Sequence, residues 1–368
     1  MNTPLELAIT GVGYISSEGT GIENFFRQVN TQSKTDIIDN YDPQGYLGKR
    51  GLRYMNKATK MYCNLAFQCI NQNNLEEKIA DIRDRVGLYD GSELSNIADG
   101  FIFDLIAKVE GPDLASPMSA PNTIANASSS QMAIKSKITG PNFTVSGGAC
   151  GSLQAMSIAS LHLRQGITDY AIIASTEVNS KYHDAVRRGE GRDRQKPFRG
   201  SNEFGVALTV ERIDDAIANN HKVLARIKAV KSGQQLEQES AEDLIQRLIT
   251  SVLQSSGVDA SEIDAIIAGG GAHNIDPQAL RARLQDNDMA ETAAYYPELI
   301  YGSGDNAGGF AGILYGIGLF QDKIVSGPKA ALENGAIAKK IASDTDLNLA
   351  LVFSIDKSGY GIVTLISK

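Results

Sequence analysis

Cysteine is scarce in this chain: Cys63, Cys69 and Cys150 are the only three among 368 residues. Three cysteines build no disulfide framework, and none stands in a CxxC or zinc-type spacing. The four histidines, His162, His183, His221 and His273, are scattered, so no metal and no cofactor are expected. Positive charge is also in short supply. Lys and Arg number 35 against 43 Asp and Glu, for a net charge of −8 and a pI of about 5.2. That balance argues against a general nucleic-acid surface. No apolar run reaches the roughly 20 residues a membrane span needs, and no charged-then-apolar leader opens the chain. These absences leave a cytoplasmic, metal-free protein with no nucleic-acid or membrane partner as the expectation.

What is present is an ordinary α/β composition, 42% hydrophobic and 21% charged, with 36 Gly and 10 Pro. Its length suits one large domain or two fused halves. Apolar periodicity predicts strands at 5–15, 85–89, 143–146, 169–175, 205–211, 223–230, 263–268, 348–354 and 361–366. It predicts helices at 21–30, 57–72, 97–109, 122–135, 241–255, 277–284 and 306–320. The segments 31–54 and 176–200 read as loop. Strands alternating with helices imply a mostly parallel sheet covered by helices. Two strand–Gly turn–helix units, at 143–166 and 263–286, suggest two similar halves, divided as 1–215 and 216–368.

The stretch from Gly140 to Ala155 organises the rest. It reads as a buried strand from Phe143 to Ser146, a tight turn at Gly147-Gly148, and a helix running to Gly166. Such a turn presents one side chain at a helix N-terminus, where backbone N–H groups and the helix dipole favour negative charge. A thiolate placed there is activated. Cys63 and Cys69, on the 57–72 helix, read as small core residues.

This stretch resembles the nucleophile turn of β-ketoacyl synthases, the condensing enzymes of fatty-acid and polyketide assembly. ITGVG at the start, SPMSAPNTIANASSSQMAIKSKITGPN, HLRQGITDYAIIASTEV, YGSGDNAGGFAGIL and SIDKSGYGIV resemble successive segments of that family, over nearly the whole length. The resemblance implies a thiolase-like α/β fold: two similar halves in αβαβα layers, with mixed five-stranded sheets. It also implies four catalytic side chains. A Cys takes the acyl group, two His stabilise the enolate formed by decarboxylation, and a Lys orders one of them.

All four positions are changed here. Gly140 and Gly166 keep the family's separation of twenty-six, and the residue nine after Gly140 is Ala149; Cys150 comes one later. Read without gaps, the first His becomes Gly269, the second Asp305, and the Lys Ile300. The family's GFVxGEG segment is reduced to EFGVAL, Glu203 to Leu208. An ionised Asp305 would oppose a developing enolate by roughly 1–4 kcal/mol at about 4 Å. The missing donor at Gly269 is commonly worth about 3 kcal/mol.

These changes together resemble the chain-length factor of type II polyketide synthases. That resemblance implies a non-catalytic subunit that pairs with a catalytic ketosynthase, meets an acyl carrier protein and shapes the polyketide tunnel. Phe101, Phe103, Met118, Ala127 and Ser128 are its candidate tunnel residues, although core packing is the plainer reading of the aromatic pair and Met118. Phe143, Thr144 and Val145 are the candidate strand that pairs across the dimer. Two alternatives stay open: an active acyltransferase or ketosynthase using Cys150, with His273 as a candidate base, and a structural homodimer with no tunnel. The basic stretch Arg187, Arg188, Arg192, Arg194, Lys196 and Arg199 is a candidate contact for an acidic carrier protein or for the partner, a solvated loop being the plainer reading. Gly308, Gly309 and Gly312 read as sites of close helix packing.

Overall fold

The computed structural model describes residues 5–33, 37–38, 41–189, 203–285, 289, 292–302, 304–324 and 347–368. The first half contains β1 (Leu7–Ser16), β2 (Gly19–Thr20), α1 (Ile22–Thr31), α2 (Gln44–Leu47), α3 (Lys57–Asn71) and α4 (Leu75–Asp81). It continues through β3 (Val86–Ser92), α5 (Ile97–Val109), α6 (Ala127–Ser136), β4 (Asn142–Ser146), α7 (Gly151–Arg164), β5 (Tyr170–Glu177), α8 (Lys181–Gly189) and β6 (Phe204–Arg212). After α9 (Ile213–Ala218), the second half contains β7 (Ala225–Gln234), α10 (Ala241–Ser256), β8 (Ala265–Gly270), α11 (Pro277–Gln285) and β9 (Ala293–Tyr295). It ends with α12 (Glu298–Tyr301), α13 (Gly308–Phe320), β10 (Leu349–Ile355) and β11 (Tyr360–Ser367).

The strand order is β4-β3-β5-β6-β1-β7-β11-β10-β8-β9, with β2 paired to β1 alone. Two mixed five-stranded sets are visible in this order. In the first, β4, β3 and β5 are parallel, and β6 and β1 follow antiparallel. In the second, β9, β8 and β10 are parallel, and β11 and β7 follow antiparallel. The sets meet where β1 pairs with β7 over three residues, Leu7 to Ile9 against Ile227 to Ala225.

Strand periodicity explains the layers, because alternate residues face opposite sides. Ile173, Val206, Leu208, Ile267 and Val352 point inward to a central core shared with α7 and α13. Their neighbours Ile172 and Ala207 face α3 outside the first sheet, while Ile266, Leu351 and Val363 face α10 outside the second. The result is the αβαβα thiolase-like architecture. Every residue of α13 is buried. A Cβ added at Gly312 would lie 2.8 Å from Val352 Cγ1 and 2.9 Å from Gly269 Cα, so glycine there lets helix and strand touch. On the outside, α10 opens on a reciprocal cap. Ser240 Oγ accepts from the Asp243 N–H at 3.1 Å, and the Asp243 carboxylate accepts from the Ser240 N–H at 3.1 Å.

Several sequence expectations need correction. The strand at 143–146 is not buried: β4 is an edge strand, exposed or half-exposed throughout. The unit matching β4–α7 in the second half is β9–α13, not 263–286, because β9 occupies the edge opposite β4 and α13 follows it. Segment 31–54 contains α2 and a 3-10 turn at Leu52–Tyr54, and α8 lies within the supposed loop 176–200. Arg192, Arg194, Lys196 and Arg199 lie outside the described residues, as do the side chains of Arg187 and Arg188. No helix among the described residues is long and apolar enough to cross a membrane.

Candidate functional site

The chain leaves β4, turns through Gly147 and Gly148, makes one 3-10 turn over Gly148–Cys150 and enters α7. Asp356, in the turn between β10 and β11, holds this bend. Its Oδ2 accepts from the Ala149 N–H at 3.2 Å, and its Oδ1 from the Ser358 N–H at 2.9 Å. Gly148 is required because its φ is +54° and an added Cβ would lie 2.1 Å from that carboxylate. The side chain delivered to the head of α7 is therefore the buried methyl of Ala149.

Cys150 occupies a different environment. One residue turns a helix by about 100°, and the thiol points into the central core, where it donates to Tyr360 O at 3.4 Å. Burial, with the Asp356 carboxylate nearby, pushes this thiol far above its ordinary range. An active nucleophile needs the reverse shift and access to substrate. Exposure of the protein to an acyl thioester should therefore leave its intact mass unchanged. A stoichiometric adduct that disappears in Cys150→Ala would overturn that expectation. Cys63 and Cys69 are also buried free thiols, each raised to about 12 by burial.

The wall facing Ala149 is the end of β8. The ladder with β10 slips between Phe353, opposite Ala268, and Ser354, opposite Gly270. Gly269 falls in this bulge and faces α13: an added Cβ would sit 2.9 Å from Gly309 Cα and 3.2 Å from Phe353 O. Gly269, where the ungapped reading places the first His of the resemblance, thus faces α13 rather than Ala149. Gly270 and Gly271 come to it instead. A Cβ at Gly270 would lie 2.4 Å from Ala149 O, and one at Gly271 3.0 Å from Ala149 Cβ. Glu298 fixes this second turn, its carboxylate accepting from the N–H groups of Gly271 at 3.3 Å and Ala272 at 3.1 Å. Neither residue that meets Ala149 carries a side chain. His273 follows, half-buried in the 3-10 turn Ala272–Asn274.

Asp305 opens the 3-10 turn that leads into α13, with its side chain buried and its φ at +38°. Its backbone O lies 3.2 Å from the Cβ position at Gly270, which places this turn behind the same wall. The next residue, Asn306, is buried and donates through Nδ2 to Gly91 O at 2.6 Å, tying α13 to the end of β3. Ile300 packs its side chain against the central core, so an alkyl group stands at this position.

Two residues that sequence reasoning passed over join Asp305. His183 Nε2 lies 3.9 Å from Asp305 Oδ2 and 3.2 Å from Glu177 Oε1, and all three side chains are buried. His183 is therefore not an isolated histidine. The available signal was weak: a Glu ending an apolar strand, then Ser180 three residues before a His, a helix-start spacing. Ser180 Oγ does accept from the His183 N–H, at 3.1 Å. His221 also has a carboxylate partner, its Nδ1 lying 2.8 Å from Glu211 Oε1.

The candidate tunnel residues divide into two groups. On α5, no residue is fully buried; Phe101 is 49% exposed, Phe103 is half-buried, and Met118, beyond the helix, is 52% exposed. Core packing, the plainer expectation for these three, is not what they do. Phe101 meets the Tyr182 ring of α8 at 4.6 Å. Ala127 and Ser128 are buried at the start of α6, with Ser128 Oγ 3.4 Å from Thr59 Oγ1. Along β4, Phe143 is 43% exposed and stacks on Tyr89 with ring centroids 6.2 Å apart, while Thr144 and Val145 are half-buried. The outer edge of β4 carries no neighbouring strand among the described residues.

Residues 27–201 match the family described as "Beta-ketoacyl synthase, N-terminal domain". A chloroplastic 3-oxoacyl-(acyl-carrier-protein) synthase I of Arabidopsis thaliana is 26% identical over 194 residues, which take in 46% of this chain and 40% of that protein. The chain thus spans less than half the length of that relative. Among solved structures, "The ishigamide ketosynthase/chain length factor" superimposes with a TM-score of 0.74 at 20% identity, covering 98% of both chains. A type II polyketide-synthase acyl-carrier protein in complex with its ketosynthase bound to the hexaketide gives 0.78 at 12% identity, covering 99% of both. A β-ketoacyl synthase from Burkholderia phymatum gives 0.81 at 13%, again over 99% of both. The fold is the α/β ketosynthase fold.

Proposed function

We propose that this chain, which has the ketosynthase fold along its length and matches the β-ketoacyl synthase N-terminal domain across residues 27–201, is a non-catalytic ketosynthase-like subunit of the chain-length-factor kind. It pairs with a catalytic ketosynthase and shapes the tunnel in which a polyketide grows on an acyl carrier protein. One observation carries this reading: the head of α7 presents the methyl of Ala149 against Gly270 and Gly271. Among the described residues, neither a nucleophile nor an imidazole pair meets there. The buried, carbonyl-bonded Cys150 favours this reading over a catalytic one.

The surface supports a partner. An open strand edge offers unpaired backbone groups, and extending a sheet across a dimer satisfies them. Phe143, Thr144 and Val145 lie on such an edge, and the exposed apolar residues Phe101, Leu105 and Met118 lie outside the core. One structural neighbour is named as a ketosynthase with its chain-length factor, and another as a ketosynthase with its carrier protein.

The test is reconstitution with ketosynthases that hold an intact Cys-His-His set, a carrier protein and malonyl thioester. A stable heterodimer should survive gel filtration and make product. Ala127→Phe should then shorten the product, because a close-packed wall gives up length to added side-chain volume, while acylation of the partner's Cys stays unchanged. Phe101→Ala should lengthen it. Failure to pair would remove the reading. A heterodimer whose product length ignores both substitutions while turnover persists would remove the tunnel from this subunit.

A further inference from the structure

We propose that Glu177, His183 and Asp305 form a binding site for one divalent transition-metal ion of the zinc class. The inference stands whether or not the chain pairs with a ketosynthase, since it needs only this chain.

The three donors come from three separate elements. Glu177 ends β5, His183 lies in the first turn of α8, and Asp305 opens the turn before α13. Each offers one ligand atom, and these atoms all lie within 4.8 Å of one another. The two separations centred on His183 Nε2 are 3.2 Å to Glu177 Oε1 and 3.9 Å to Asp305 Oδ2. A tetrahedral zinc with nitrogen and oxygen bonds of about 2.0–2.2 Å sets its ligand atoms roughly 3.3–3.5 Å apart. The two separations at His183 bracket that edge, and the third lies within 4.8 Å, so modest side-chain torsion changes draw the three donors onto one ion.

The imidazole is held in the orientation a ligand needs. His183 Nδ1 lies 3.2 Å from Asn179 Oδ1, an acceptor. With Nδ1–H donating to that oxygen, the neutral ring keeps its Nε2 lone pair directed at the two carboxylates. Fixing the far nitrogen of a metal-binding histidine by a hydrogen bond is the usual way its tautomer and angle are set. The backbone of His183 is anchored as well, by its N–H to Ser180 Oγ. Two carboxylates and one imidazole match the charge of a divalent ion. The nitrogen donor and the small ligand count favour Zn2+ over Mg2+ or Ca2+, which prefer all-oxygen cages. Three protein ligands leave a fourth position for water.

The ion would link β5, α8 and the N-terminal turn of α13. Asp305 stands at the position where the resemblance implies the second catalytic His, so the link falls in the region where the related enzymes do their chemistry.

The test uses the intact chain, stripped with chelator and titrated with ZnCl2. Calorimetry and elemental analysis should give one equivalent of Zn2+ per chain, and the melting temperature should rise on loading. Co2+ in place of Zn2+ should give the visible absorption of a tetrahedral nitrogen–oxygen site. His183→Ala and Asp305→Asn should abolish stoichiometric binding. Asn179→Ala, a milder change beside the ligands, should weaken it by about 10–100-fold with the fold kept, which guards against simple unfolding of the ligand variants. His221→Ala, which alters the other histidine–carboxylate pair, should bind as the parent does. Failure of the parent to take up one equivalent, or undiminished binding in folded His183→Ala, would overturn the site and leave a protonated histidine bridging two acids.

Discussion

Gly271→His is expected to abolish cooperative folding. Gly271 has a φ of +72°, and its added Cβ would lie 1.9 Å from Ile355 O and 3.0 Å from Ala149 Cβ. The obstacle is main chain on one side and the head of α7 on the other. Glu298 holds the turn through two N–H groups, so it cannot swing clear. Strain and overlap of this kind belong to the exceptional class of substitutions that cost on the order of 4–5 kcal/mol or more. Gly257→Ala serves as the control. It has a similar φ of +68° with nothing within 4 Å of the added Cβ, and should cost only roughly 1–2 kcal/mol. The measurement is thermal or urea unfolding. A Gly271→His protein that melts like the parent would show that the two turns are not closed on each other. The expected result means that this turn accepts no side chain at position 271 by a single substitution.

Asp90→Asn should remove a large, one-proton part of the pH dependence of stability between pH 4 and pH 8. Asp90 lies in β3, is 2% exposed, and its Oδ1 accepts no hydrogen bond among the described residues. Burial alone raises its carboxyl to about 8. The folded protein therefore keeps this proton through a range in which the unfolded chain, with a carboxyl near its ordinary 3.8, has released it. Stability from this group is fully present below about pH 4. It falls by about 1.4 kcal/mol per pH unit as pH rises, and is lost once pH passes the folded value near 8. The neighbours do not confuse the readout. Burial raises Tyr62 well above its usual range and Cys63 to about 12, so both stay neutral across the window. The asparagine variant has no proton to lose, so its stability against pH should be flat by comparison and should exceed the parent's by several kcal/mol near pH 8. Urea unfolding of both proteins at pH 5, 6, 7 and 8 provides the check. Parallel curves would mean that Asp90 is solvated in solution.

Much of the architecture is legible in the sequence because strong periodic patterns mark it. The helix predicted at 97–109 is α5 to the residue, and the layered fold is the one the family resemblance implies. The mostly parallel sheet expected from strands alternating with helices is instead mixed, because β6, β1, β7 and β11 pair antiparallel. Burial was harder to read. The apolar residues of α5 and β4 look like core in sequence, since an exposed apolar surface and an interior carry the same residue types. Short elements also escaped: β9, at three residues, has no period to detect, and its absence led 263–286 to be matched with the wrong unit. At the site, Ala149 was found by counting from Gly140. The bulge at Gly269 could not be, because a ladder slip leaves no mark in a run of three glycines. Glu177, His183 and Asp305 stayed apart because nothing in sequence joins positions 177 and 305; only the packing of the 3-10 turn before α13 against β5 does.

The three-residue junction between β1 and β7 bears on how the chain could be divided. A nick at Asn219–Asn220, in the exposed turn after α9, cuts no strand and no core helix. The two fragments would still be unable to live apart. The central core draws on both sheets at once, with Ile173 and Val206 from one and Ile267 and Val352 from the other closing over α7 and α13. Released alone, the second fragment would show water one side of an entirely apolar helix, and the first would lose the cover of its inner sheet face. Such pieces should behave as a split protein: each should aggregate by itself, and mixing them at refolding should restore the whole through the layer they share rather than through the short ladder that joins them.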